Sequence, residues 1–275
     1  MLGCDQVFYY PNAVKYGTPR QYRLDYESVR FPARDSTSLH GWFFPAQKKS
    51  ATGAIGTVLH LHGNAGNLSG HFHHITWLPA AGWNVFCFDY RGYGRSEGTV
   101  TRAGTITDAH AALDYLLSRS DVDTHHIVGF GQSLGGAIGI VLTAERQEIR
   151  GLATDGAFDH YRRIASWHIR RNPLLLLLGW WIPKLLMSDG YDPIDYVSRI
   201  APRPLFIMHG TADRVVSPAM AQRLYDAANE PKELWMIPEA NHYEAMQEMA
   251  DEAHPRLLQF FQRCMDKPIP TQSED

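Results

Sequence analysis

The sequence predicts an α/β protein: a mostly parallel, doubly wound sheet that opens with an antiparallel hairpin and is interrupted late by a helical insertion. Three observations predict it. Short β-branched and aliphatic runs bounded by glycines suit strands buried on both faces of a parallel sheet. Stretches with helical apolar spacing lie between those runs, as βαβ units require. One strand-to-helix junction, Gly131-Gln132-Ser133-Leu134-Gly135, carries a serine with a glycine two residues away on either side.

Taken in order, Tyr22 to Phe31 alternates apolar and polar residues, and Leu39 to Phe44 follows the turn-rich Ala33-Arg34-Asp35-Ser36, which predicts the hairpin. Ile55 to Leu61, Val85 to Phe88, Ile127 to Phe130, Leu152 to Thr154, Leu205 to Met208 and Glu233 to Ile237 are the strand runs. Helical spacing is carried by Ala109, Leu113, Leu116 and Leu117, then by Ala137, Ile140, Val141 and Ala144, then by Leu224, Tyr225 and Ala228. From Ala157 to Ile200 the strand period disappears, leaving Trp167, Trp180, Trp181 and the Leu174 to Leu178 run. That stretch is too short to bury its own core, so it is expected to be an insertion, about 157–200, within a single domain over 1–266. The polar tail 267–275, with two prolines, is expected to be disordered.

Composition excludes several functions. With 44% hydrophobic residues, 20% charged and a net charge of −3, the chain is neither disordered nor built to meet nucleic acid. No repeat of fixed period is visible, which argues against a solenoid. The longest apolar run, Leu174 to Ile182, is interrupted by Gly179 and falls short of the roughly 20 residues that a membrane span needs. Three cysteines, at 4, 87 and 264, match neither a disulfide framework nor a zinc spacing. Met1-Leu2-Gly3-Cys4 resembles the end of a bacterial lipoprotein signal without the charged and apolar parts that precede one. The default expectation is therefore a cytoplasmic protein, and the alternative is a lipoprotein anchored to a membrane through Cys4.

The chemistry starts at the serine. A serine on a tight strand-to-helix turn needs glycines beside it, because larger side chains collide where the backbone reverses, and the turn holds the hydroxyl at the carboxyl edge of the sheet. Nucleotide loops fail here: Leu134 stands where a dinucleotide loop needs glycine, and no Gly-Lys pair follows. A serine hydroxyl needs a general base, itself oriented by an acid. Asp213 lies in the loop after Leu205 to Met208, in His209-Gly210-Thr211-Ala212-Asp213, and His242 after Glu233 to Ile237, in Pro238-Glu239-Ala240-Asn241-His242. Asp155 is the fallback acid, while Asp226 suits a solvated helix face. Donors for the oxyanion are expected from the backbone of Leu134 and of Asn64, in His62-Gly63-Asn64-Ala65-Gly66-Asn67. Of 14 histidines, His60, His62, His71, His73 and His74 have ligand-like spacing, but no His-Glu-x-x-His motif accompanies them. They are read as structural or surface residues, with no metal or cofactor implied.

These residues resemble the α/β-hydrolase superfamily from about Tyr22 to Met265. The nearer likeness is to a branch with His-Gly-Asn-Ala-Gly-Asn after its third strand, Phe88-Asp89-Tyr90-Arg91-Gly92-Tyr93-Gly94-Arg95-Ser96 after its fourth, and Gly-Gln-Ser-Leu-Gly-Gly at the serine. That branch includes protein depalmitoylases and many bacterial hydrolases of unassigned substrate. The resemblance implies the α/β-hydrolase fold, Ser133 as nucleophile, Asp213 as acid, His242 as base, and Asn64 and Leu134 as oxyanion donors. It implies a cap where Ala157 to Ile200 falls. Gln132 and Leu134 depart from the Gly-Gly-Ser-Trp-Gly of serine aminopeptidases and argue against peptidase activity; dehalogenases carry aspartate where Ser133 stands. The expected function is hydrolysis of a carboxylic ester or thioester, on an acyl or lipid-like substrate, through an acyl-enzyme. An acyltransferase with the same triad, or a non-catalytic binding protein on this fold, are the alternatives. Trp and Leu beside Arg162, Arg163, Arg170, Arg171 and Lys184 also suit peripheral membrane contact, against plain packing on the core.

Overall fold

Six runs of mostly apolar residues, each too short to stand alone, assemble side by side. The computed structural model describes residues 5–48, 53–171 and 181–266. In chain order the elements are β1 (Tyr10–Pro11), β2 (Glu27–Pro32), β3 (Ser38–Phe44), β4 (Gly56–Leu61), β5 (Ala65–Gly66), α1 (Leu68–His71), β6 (Trp83–Asp89), α2 (Arg102–Ser118), β7 (Ile127–Gln132), α3 (Leu134–Glu145), β8 (Ile149–Asp155), α4 (Tyr161–Arg170), α5 (Ile182–Leu186), β9 (Leu205–Gly210), α6 (Pro218–Ala227), β10 (Lys232–Ile237) and α7 (Ala250–Asp266).

The main sheet has eight strands in the order β10-β9-β8-β7-β4-β6-β3-β2. From β10 to β6 all neighbours are parallel, and β3 runs antiparallel to both β6 and β2. Every residue of β4, β6, β7, β8 and β9 is buried, because helices cover both faces. Leu59, Leu61, Phe86 and Phe88 point to the side covered by α2 and α3. Val58, Val85 and Val128 point to the other, where Leu257, Phe260 and Phe261 of α7 pack. The edge strands β2 and β10 keep exposed positions.

The strand order reverses at β4, which has β6 on one side and β7 on the other. Open parallel sheets bind ligands at the carboxyl ends beside such a reversal. The loops after β4 and β7, which hold Asn64 and Ser133, meet there.

The hairpin is shorter than the alternation suggested: β2 begins at Glu27, not Tyr22. Residues Pro19–Tyr22 form a 3-10 turn that ends on Arg23 in the left-handed region, φ 55, so the chain bends before it can pair. An element with no sequence signal appears instead, as β1 pairs in parallel with β5, Tyr10 opposite Ala65 and Pro11 opposite Gly66. Among the described residues between β8 and β9 lie α4, α5 and two 3-10 turns, Pro193–Asp195 and Val197–Ile200. Among the described residues no helix is long and apolar enough to cross a membrane. Leu174 to Leu178, Trp180, Cys4 and the tail 267–275 lie outside the described residues.

Candidate active site

Ser133 sits between the last residue of β7 and the first of α3 with φ 52 and ψ −112, a backbone conformation that L-residues avoid. The glycines around it are there for space. A methyl group on Gly131 would collide with the Gly135 carbonyl, and one on Gly135 with the Leu61 carbonyl at the end of β4. The Ser133 amide donates to the Asp155 carbonyl at 2.8 Å, tying the turn to β8. Leu134, the first residue of α3, carries one of the main-chain N–H groups that a helix start leaves without an intrahelical acceptor.

The residues expected as acid and base lie in the loops after β9 and β10. The His242 Nδ1 lies 2.6 Å from Asp213 Oδ2, so Nδ1–H donates to the carboxylate and Nε2 is left as the proton acceptor. Asp213 Oδ1 accepts from the amides of Val215 and Val216 at 2.7 and 2.8 Å. Burial opposes ionisation of Asp213, but hydrogen bonds from His209 and His242 outweigh it and hold the carboxyl far below its ordinary range. A protonated His242 imidazole would therefore have a counter-charge beside it. Gly156, at φ 67, lies under the imidazole; a methyl group there would come within 2.8 Å of His242 Cε1.

His209 was not singled out by the sequence, yet it touches the acid. Its Nε2 lies 3.2 Å from Asp213 Oδ2 and 3.0 Å from the Val216 carbonyl. A carbonyl only accepts, so Nε2 carries the proton and His209 donates. Its place in His209-Gly210-Thr211-Ala212-Asp213, four residues before the acid, was the available signal. Asp155, the fallback acid, is fully buried, and among the described residues its Oδ2 has no hydrogen-bond partner. Burial pushes its carboxyl up to about 6. It stands behind the pair rather than in it, since the bond to His242 belongs to Asp213.

The loop after β4 is held from several sides. The Asn64 side chain donates to the Phe8 carbonyl at 2.6 Å and accepts from the Tyr10 amide at 3.2 Å and the Tyr93 hydroxyl at 2.8 Å. With its side chain occupied in this way, Asn64 is left with its main-chain N–H to offer a reacting group. Tyr90 donates to the His62 carbonyl at 3.2 Å. Asp89 accepts from the amides of Leu68 and Arg95 at 2.8 and 3.2 Å. The Asp89-to-Ser96 stretch is thus a brace for the Asn64 loop, not a second chemical centre.

The clustered histidines serve the same loop. His62 Nδ1 donates to the Gly63 carbonyl and His71 Nε2 to the Ala65 carbonyl, both at 2.7 Å, and the two rings stack 5.3 Å apart. His60 bonds Gln132 at 3.0 Å beneath the serine, and burial pushes it down to about 3. His62 and His71 are structural residues that shape the Asn64 loop, and His209 holds Asp213.

Ser133, Leu134, Asn64 and His242 open into one cavity of about 540 Å³. Its other lining residues are mainly apolar, among them Phe8, Phe158, Ile164, Ile169 and Met187, and none of the described residues around it is Asp or Glu. Phe8 and Tyr10 reach it from the N-terminal segment, which the sequence did not associate with the site.

Residues 52–203 match the family described as "Serine aminopeptidase, S33", and residues 184–275 match "PhoPQ-activated pathogenicity-related protein". The first match covers more than half of the chain. The chain belongs to that α/β-hydrolase family. The YfhR protein of Escherichia coli is 40% identical over 240 residues, covering 86% of this chain and 80% of that protein. The α/β-hydrolase domain-containing protein WAV2 of Arabidopsis thaliana is 34% identical over 226 residues, 77% of this chain and 69% of that protein. A solved Pyrococcus furiosus esterase superposes with a TM-score of 0.78 at 25% identity, covering 94% of this chain and 98% of that one. Family membership corrects the separation from the serine aminopeptidases that Gln132 and Leu134 suggested. Both side chains are fully buried under the serine turn, Gln132 against His60, so they report packing rather than lineage.

Proposed function

We propose that the protein is a serine hydrolase that cleaves carboxylic esters or thioesters of apolar acyl groups through an acyl-enzyme. The observation that carries this reading is Ser133, on its strained turn, opening into the same apolar cavity as a His242 already oriented by Asp213. Ser133 Oγ attacks the carbonyl carbon while its proton passes to His242 Nε2. The amides of Asn64 and Leu134 hold the oxyanion, and Asp213 keeps the imidazole tautomer and balances its charge. As the tetrahedral centre collapses, the C–O or C–S bond breaks and the leaving group takes the proton from His242. Water then attacks the acyl carbon as its proton passes to His242; the bond to Ser133 Oγ breaks, Ser133 takes that proton back from His242, and the acid leaves.

The lining favours an acyl group over a peptide. An aminopeptidase needs a carboxylate to meet the substrate's α-ammonium, and the described lining offers none. The likeness to an esterase from Pyrococcus furiosus supports the ester reading, and the motif likeness to protein depalmitoylases makes thioesters the second substrate to try. The test is a series of nitrophenyl esters and acyl thioesters of increasing chain length on wild type and Ser133→Ala. Turnover that depends on chain length and disappears in Ser133→Ala supports the proposal; turnover that survives Ser133→Ala overturns it.

Contact with a membrane surface forms a further part of this reading. Trp181 is 74% exposed, with the Lys184 ammonium 5.9 Å from its ring, a pairing suited to an interface. Co-sedimentation with anionic lipid vesicles, lost in Trp181→Ala, is the expected outcome; no sedimentation of wild type removes this part.

A further inference from the structure

Tyr243 follows the base directly and is one of few non-glycine residues in the left-handed region, φ 67 and ψ 4. A bulky residue there costs on the order of 1 kcal/mol or more, and such strain persists where the surroundings impose it. The consequence is positional. Instead of alternating away from His242, the Tyr243 ring lies beside the imidazole, centroids 3.9 Å apart, and both side chains face the cavity. His71 and His74 also border the ring, with centroids 6.2 and 5.7 Å away.

The hydroxyl end lands between the two catalytic loops. Its phenol oxygen faces the Ser133 side chain, which lines the same cavity. On its other side it presses on Gly63, the residue before Asn64, where a methyl group would collide with the phenol oxygen and come within 3.1 Å of His71. Gly63 is therefore glycine because Tyr243 is tyrosine. Burial of the phenol pushes its titration upward, which keeps the proton available for donation.

We propose that Tyr243 is a third oxyanion donor, contributed by a side chain: its hydroxyl holds the Ser133 hydroxyl at rest and donates to the oxyanion once the Ser133 Oγ–carbon bond forms. The phenol keeps its proton throughout, and the Ser133 proton still goes to His242. In the resting chain the hydroxyl fixes the serine oxygen next to the Asn64 loop, where the carbonyl oxygen of a substrate must arrive. This inference rests on the serine-hydrolase reading.

The test compares full-length wild type, Tyr243→Phe, Gly63→Ala and the double variant on a short-chain nitrophenyl ester. Each is also measured for binding of an alkyl boronic acid, which mimics the tetrahedral centre, and of the product acid, which does not. Tyr243→Phe removes one oxygen and is expected to lower kcat on the order of 10²-fold, as loss of one oxyanion donor does, with KM little changed. Boronate affinity falls with kcat, while affinity for the product acid stays. Gly63→Ala is expected to be damaged in the wild-type background and to recover toward the Tyr243→Phe level when the hydroxyl is also removed, since the closest contact of the added methyl group is with the phenol oxygen. Unchanged or raised kcat in Tyr243→Phe, parallel loss of boronate and product-acid binding, or additive losses in the double variant each overturn the proposal. Labelling of Ser133 by a fluorophosphonate separates the two failures: a labelled, active wild type with a fully active Tyr243→Phe sinks only this inference, and an inert wild type sinks the hydrolase reading beneath it.

Discussion

The floor of the cavity is made by loops at the carboxyl ends of parallel strands, with Ser133 after β7 and His242 after β10, backed by Asp213 after β9. Its wall comes from much more distant segments: Phe8 and Tyr10 in the N-terminal segment, Phe158, and Ile164, Ile169, Ile182 and Met187 between β8 and β9. On the floor, the demands are local and steric. A strained serine turn needs Gly131 and Gly135, and an imidazole lying flat needs Gly156. The wall needs only apolar bulk in the right place, which many residues supply. Chemistry is consequently written into short motifs, whereas selectivity is written into side chains that meet only after folding.

The largest expected effect lies on the floor. Asp213→Asn removes the carboxylate that fixes the His242 tautomer and should lower kcat on the order of 10⁴-fold while leaving the fold intact. A loss smaller than tenfold, measured on any ester the wild type turns over, would mean that the acid lies elsewhere, with Asp155 next in line.

Asp155 gives a stability test on the same floor. Its folded-state value, about 6, lies above the ordinary 3.8, so the folded chain holds the proton more tightly. Stability from this group is full below about pH 4 and is lost as pH rises through 6. Asp155→Asn should therefore gain on wild type as pH rises from 4 to 8, by up to about 3 kcal/mol, since each tenfold difference in proton affinity between the folded and unfolded chain is worth roughly 1.4 kcal/mol. Denaturant unfolding at both pH values measures it, and a difference independent of pH contradicts the burial argument.

A smaller change is expected at His209. Replacing it with Phe keeps the bulk and removes one donor to Asp213, which should lower kcat by roughly ten- to a hundredfold, since a hydrogen bond to a charged group is worth about 1.5–3 kcal/mol. The smallest effect belongs to the wall. Phe8→Ala should shift the preferred acyl chain by one or two methylenes, a few-fold in kcat/KM per step at about 0.8 kcal/mol each, with Ser133 labelling unchanged. If Phe8→Ala abolishes labelling, floor and wall are not separable.

The same contrast explains what could be read in advance. The six strand runs and the helices α2, α3 and α6 follow from local period and from glycine punctuation, and the fold class follows from their alternation. Ser133, Asp213 and His242 were legible because each stands in the loop after a strand of the parallel sheet, Ser133 immediately after β7 and the other two within five residues of β9 and β10. The β1–β5 pair was not, because Tyr10 and Ala65 lie more than fifty positions apart and two residues carry no period. The occupation of the Asn64 side chain by Phe8, Tyr10 and Tyr93 was hidden for the same reason. Tyr243 was hidden differently: nothing in a sequence marks a tyrosine as left-handed. The onset of β2 was misplaced because alternation from Tyr22 onward does not reveal the turn at Arg23.

The central claim is that Ser133 is the nucleophile of a floor already organised in the free protein. Exposing the native chain to a fluorophosphonate and locating the adduct by peptide mass spectrometry tests it most directly. The account predicts a single adduct on Ser133, absent from Ser133→Ala and strongly slowed in Asp213→Asn. An unlabelled Ser133 in a chain that still hydrolyses esters would contradict it.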